Sequence, residues 1–74
     1  MPFVNVKLIK GVFNADEKKE MITKLTDTMV SIEGEAMRQV TWVAIEEVES
    51  GDWGIGGNSL TTQDVKDLQS SPVG

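Results

Sequence analysis

Between Ala15 and about Glu33 the apolar residues Met21, Ile22, Leu25, Met29 and Ile32 recur at spacings of three and four. This single amphipathic helix stands between two runs of β-forming residues, Phe3 to Lys10 (FVNVKLIK) and Val40 to Val48 (VTWVAIEEV). A helix of about five turns between two strands returns the chain so that the strands run parallel, and such crossovers are right-handed. The expected fold class is therefore α/β, built on one β-α-β unit. In the first strand Val4, Val6 and Leu8 share one face, with Phe3, Asn5, Lys7 and Ile9 on the other. Gly11 ends that strand, Asn14 with Glu17 offers a capping box, and Gly34 offers a left-handed C-cap. After Gly51 the segment DWGIGGNSLTTQ, with Gly54, Gly56 and Gly57, suits tight turns or a short hairpin. Residues Gln69 to Gly74 read as a loose tail.

Two strands and one helix leave sheet edges and a sheet face uncovered, and a chain of 74 residues forms only one domain with a marginal core. Small domains gain stability from disulfides, metals or association; without cysteine or histidine the chain is left with association. Its formal net charge of −5 opposes the phosphate backbone, so nucleic-acid binding is not expected. No stretch approaches membrane-spanning length and no signal peptide opens the chain, which makes a cytoplasmic protein without membrane association the expectation.

Without histidine, cysteine or tyrosine, catalytic groups reduce to carboxylates, lysines, hydroxyls and the chain terminus. No Ser-His-Asp set, zinc-ligand spacing or P-loop can be assembled, and the GIGG run lies too near the end for a dinucleotide-binding unit. The terminus is more informative. Methionine aminopeptidase trims Met1 when the second residue is small, which here exposes the Pro2 nitrogen. A free α-amino group titrates near ~8, and burial in an apolar pocket or a nearby cation lowers it toward neutrality. A ring amine at the start of a strand is also held in a fixed direction, which favours proton transfer.

The start PFVNVKLIKG, the helix opening NADEKKEMITKLT and the segment GDWGIGG together resemble the 4-oxalocrotonate tautomerase family, from Pro2 to about Leu60. That resemblance implies one tautomerase-like domain over residues 1–74, assembled as a homohexamer, a trimer of dimers, with sites at subunit interfaces and no cofactor or metal. It implies that Pro2 is the general base and acid of a keto-enol isomerase acting on a small enol or unsaturated keto acid. Trp53 falls where the family places an aromatic over the substrate, and Ile9 matches an apolar pocket position. The family's two arginines fall on Val12 and Trp42, so both cations are missing. Arg38, the only arginine, is a candidate replacement together with Lys7 and Lys10. A pocket containing Trp42 and Trp53 favours a flatter, less charged substrate. Two other readings stay open: a proline-dependent addition or cyclisation in a specialised pathway, and a non-catalytic subunit of a mixed hexamer.

Overall fold

A computed structural model describes residues 1–71. Strand β1 (Phe3–Ile9) leads to helix α1 (Ala15–Glu33), a 3₁₀ segment (Glu35–Val40) and strand β2 (Trp42–Val48). Strands β3 (Trp53–Ile55) and β4 (Asn58–Leu60) follow, then helix α2 (Thr62–Ser70). β1 pairs in parallel with β2, Phe3 opposite Trp42 and Ile9 opposite Val48, so the expected β-α-β unit is present. β3 and β4 form an antiparallel hairpin whose register sets Ile55 opposite Asn58. Its two-residue loop is Gly56-Gly57, with φ of 57° and 84°, the signs that a type I′ turn requires.

The start of α1 follows from its capping box. Asn14 Oδ1 accepts from the Glu17 amide at 2.8 Å, and Glu17 Oε1 accepts from the Asn14 amide at 2.9 Å. Gly34 ends the helix at φ 105° and ψ 150°, a glycine-only conformation that is not the left-handed helical cap expected from the sequence. Its amide still donates to Val30 O at 2.8 Å, satisfying one terminal carbonyl.

Three boundaries differ from the sequence reading. The first strand ends at Ile9, and residues 35–40 form a 3₁₀ segment, so the second strand begins at Trp42 and not at Val40. Gln69 and Ser70, expected in a loose tail, close α2; the rest of that expectation beyond Ser71 lies outside the described residues. The stripe of α1 is also rotated from the expected one, because Ile32 is 78% exposed while Glu33 is half-buried.

Among the described residues only Ile9 and Val30 are buried, at 6% and 5% exposure. Val4, Val6 and Leu8 are half-buried on the helix side of the sheet; on the opposite face of β1, Phe3, Asn5 and Lys7 are exposed and Ile9 is buried. The radius of gyration is 15.1 Å. A compact chain of this length has one of about 11 Å, so the protomer is elongated and thinly cored.

Candidate active site

Pro2 stands one residue before β1, half-buried, and its carbonyl accepts from the Trp42 amide at 3.0 Å. With Met1 attached, the Pro2 nitrogen is a tertiary amide and cannot take a proton. Beside it Phe3 and Trp42 form a tilted aromatic pair, centroids 6.1 Å apart at 44°, both more than half exposed. Trp42 therefore lies at the proline end of the sheet, as an apolar wall where the family resemblance places a cation.

Ile9 lies at the other end of β1. It lies seven positions along the chain from Pro2, and at ~3.3 Å per step that distance is about 23 Å. Here Ile9, Val12, Phe13, Trp53, Leu60 and Val65 line a cleft of about 250 Å³. Among the described residues Lys7 alone brings charge to its lining. The hairpin positions Trp53, and α2 positions Val65. Gly11, at φ 92°, lets the β1-α1 turn approach α2 so closely that an added Cβ would meet Thr62 Cγ2 at 3.2 Å. Thr62 fastens this wall: its hydroxyl donates to Lys10 O, and its amide donates to Ser50 Oγ at 2.9 Å.

The candidate cations are all engaged. Lys7 pairs with Glu46 at 3.1 Å and Lys10 with Glu49 at 3.2 Å. Hydrogen bonds from Asn5, then from Lys7, hold the Glu46 carboxyl below its usual range. Arg38 reaches Asp27 at 2.8 Å and Glu35 at 2.7 Å, tying the 3₁₀ segment to α1. Those hydrogen bonds, Glu35 first, push its guanidinium further above its ordinary value, and Arg38 in turn holds Glu35 low. Within one protomer the sequence-derived site is thus divided: Pro2 and Trp42 at one end, Ile9 and Trp53 at the other, Arg38 bound to two carboxylates.

The family model for tautomerase enzymes matches residues 2–63. The chain belongs to the 4-oxalocrotonate tautomerase family. A probable tautomerase, K2, of Dickeya dadantii is 43% identical over 61 residues, spanning 82% of this chain and 90% of that protein. A probable tautomerase of Helicobacter pylori is 34% identical over 62 residues, spanning 81% and 90%. Among solved structures, apo unfused 4-OT superposes with a TM-score of 0.71 at 32% identity, covering 80% of this chain and 93% of that one. DmpI from Helicobacter pylori gives 0.69 at 32% identity, covering 80% and 95%. Tautomerases are isomerases, and membership places this chain among enzymes of that class. The matched region stops as α2 begins, so Val65 is a wall of the cleft that the family match does not reach.

Phe13, Leu60 and Val65 were not anticipated as cleft residues. A sequence signal for α2 exists in Thr61-x-x-Asp64, and the structure shows that capping box: Thr61 Oγ1 accepts from the Asp64 amide at 3.1 Å and Asp64 Oδ2 from the Thr61 amide at 2.9 Å. Nothing of comparable clarity marks Phe13 or Leu60, whose roles depend on where the hairpin folds back. Among the described residues no helix is long and apolar enough to cross a membrane, and no group of histidine, cysteine, aspartate or glutamate is arranged to hold a metal ion.

Proposed function

We propose that the chain, with Met1 removed, is a cofactor-independent keto-enol tautomerase in which the Pro2 amine moves a proton on a small enol or unsaturated keto acid. The observation that carries this reading is the coincidence of the family match from residue 2 with a proline held at the first sheet position by the Trp42 amide. A neutral secondary amine takes the proton from the enol oxygen or an activated carbon. The resulting ammonium returns it to the other atom of the enol system, so no external reactant is consumed.

The separation of Pro2 from the cleft supports a site completed by a second copy. Among the described residues β1 is paired on one edge only, by β2. A two-fold pairing of its free edge centred on Val6 sets Pro2 opposite Lys10 and Phe3 opposite Ile9 of the partner copy, bringing the amine to the partner's cleft mouth. Trp53 and Ile9 then keep the amine's surroundings apolar, which favours its uncharged form. Trp42 flanks the substrate from the proline side. Arg38 enters such a site only by releasing Asp27 and Glu35. Repetition of the dimer as a trimer gives the homohexamer, and the chain is read as cytoplasmic.

Val12 and Trp42 favour a flat substrate with a single carboxylate over a diacid, because neither carries the positive charge that the family pattern sets against a second one. Enolised phenylpyruvate is a suitable probe. With the processed chain, whose loss of Met1 is read by intact mass, Pro2→Ala is expected to lower kcat/KM by about 10²–10⁴-fold, the usual worth of a positioned base. Undiminished turnover in that variant overturns the reading.

A further inference from the structure

Glu33 occupies a place where the helix pattern calls for an apolar residue. It follows Val30, the buried residue of α1, by three positions and Met29 by four, so it continues the stripe that faces the sheet. Its carboxylate is half provided for. Oε2 accepts from Thr41 Oγ1 at 2.8 Å, while Oε1 is buried and has no hydrogen-bond partner. Even the Thr41 bond is shared, because the same hydroxyl lies 2.8 Å from Met37 O and carries one hydrogen. A carboxylate in this setting is short of donors, and a buried acceptor left unpaired is destabilising.

The register places one further potential donor at this end of the sheet. Trp42 lies opposite Phe3, and its amide binds Pro2 O, so the extended residue before it, Thr41, stands opposite Pro2. Alternation puts both on the helix side: Pro2 is in phase with Val4, Val6 and Leu8, and Thr41 with Val43, Ile45 and Glu47, which reaches Lys18 of α1 at 2.8 Å. Thr41 thus joins Glu33 to the proline end of the same buried face. While Met1 is attached, the Pro2 nitrogen has no hydrogen to give. Once Met1 is removed it carries one hydrogen as an amine and two as an ammonium.

We propose that Glu33, oriented by Thr41, is the hydrogen-bond acceptor and counter-charge of the free Pro2 amine, a positioning residue that fixes the direction of its lone pair. This deepens the reading of Pro2 given above and rests on it. A neutral proline amine has one N–H and one lone pair; with the N–H held by Glu33 Oε1, the lone pair is aimed away from the helix. The carboxylate also favours the ammonium, opposing the apolar cleft. Other charges at this end are closed among themselves: Glu35 and Arg38 of the 3₁₀ segment and Asp27 of α1 form one ion-paired group. On β1 and β2, Lys7 and Glu46 lie further along the sheet, on its open face, and bind each other. Lys10 of the partner copy, which the two-fold pairing brings opposite Pro2, is itself held by Glu49, so within the protomer Glu33 is the charge left to face Pro2.

The test is a titration of ¹⁵N-proline-labelled, processed protein by NMR, with wild type, Glu33→Gln and Thr41→Val compared. Glu33→Gln is expected to lower the Pro2 midpoint by about one unit, with Thr41→Val between the two. The rising limb of kcat/KM against pH moves with it, so that below the wild-type midpoint Glu33→Gln turns over enolised phenylpyruvate several-fold faster than wild type, a gain that a merely structural glutamate does not give. Identical midpoints in wild type and Glu33→Gln, with both spectra well dispersed, overturn the proposal. The titration needs no turnover, so it judges Glu33 by itself, whereas full activity in Pro2→Ala overturns the base reading on which the proposal stands.

Discussion

Val12 and Trp42 place an apolar cleft wall and an indole where the family resemblance sets cations, and in the proposed shared site this governs what can be bound near Pro2. Two arginines would hold the carboxylates of a diacid and stabilise a developing oxyanion. An aromatic pair, Phe3 with Trp42, and a cleft walled by Val12 and Trp53 instead reward flat apolar area. Trp42→Arg is accordingly expected to raise kcat/KM for a diacid enol relative to enolised phenylpyruvate by about 10–100-fold, the worth of one charged hydrogen bond, measured by competition between the two substrates. An unchanged ratio places Trp42 outside the site. At this scale the sequence was most legible where chemistry leaves few choices: with no histidine, cysteine or tyrosine, the terminal proline stood out. Glu33 was not legible, since a glutamate at a helix end is ordinarily solvated and its contact with Thr41 depends on where the chain returns to enter β2.

Both helices are opened by capping boxes, and α2 depends on its box more than α1 does. Nine residues are too few for a helix to persist alone, so α2 exists because Thr61 caps it and Thr62 fastens it to Lys10 and Ser50. Thr61→Ala is expected to loosen α2 by about 1 kcal/mol, read as faster amide exchange in residues 62–70 with α1 unaffected. Val65→Ala should widen the cleft and favour bulkier enols, seen chiefly in KM. The α1 boundaries were readable because Asn14, Glu17 and Gly34 act locally. α2 was missed because its serine- and glycine-bearing surroundings resemble a tail and its helicity comes from docking. The 3₁₀ segment was missed for a similar reason: Arg38 holds it through Asp27 and Glu35, contacts that no local pattern encodes. Between α1 and β2, Lys18 holds the Glu47 carboxyl below its ordinary value in a partly covered pair. The unfolded chain therefore binds protons first on acidification. The pair's contribution is present above about pH 4.3 and is lost as pH falls through the depressed folded value. In Lys18→Met the urea midpoint should fall less steeply between pH 6 and 3 than in wild type.

As a whole the protomer is an unfinished object: an elongated chain with two buried side chains among the described residues, a sheet face largely open, and exposed Phe3, Ile32, Trp42, Ile55 and Leu68. The β-α-β order and the need for association were both legible, because helix length between strands and core size follow from the chain itself. Pro2 and Ile9 stand at opposite ends of β1, and a site shared between subunits was an implication of the family resemblance, not of any local pattern in the chain. The central claim is that Pro2 of one protomer works in the cleft of another, and coexpression of two variants tests it. Pro2→Ala and Trp53→Ala, each inactive or nearly so alone, are made in one cell with different tags, and doubly tagged assemblies are purified. Random pairing restores wild-type residues at about a quarter of the sites, so turnover of enolised phenylpyruvate should return to about that fraction of wild type. Activity no greater than that of the separate variants would contradict a site shared between subunits.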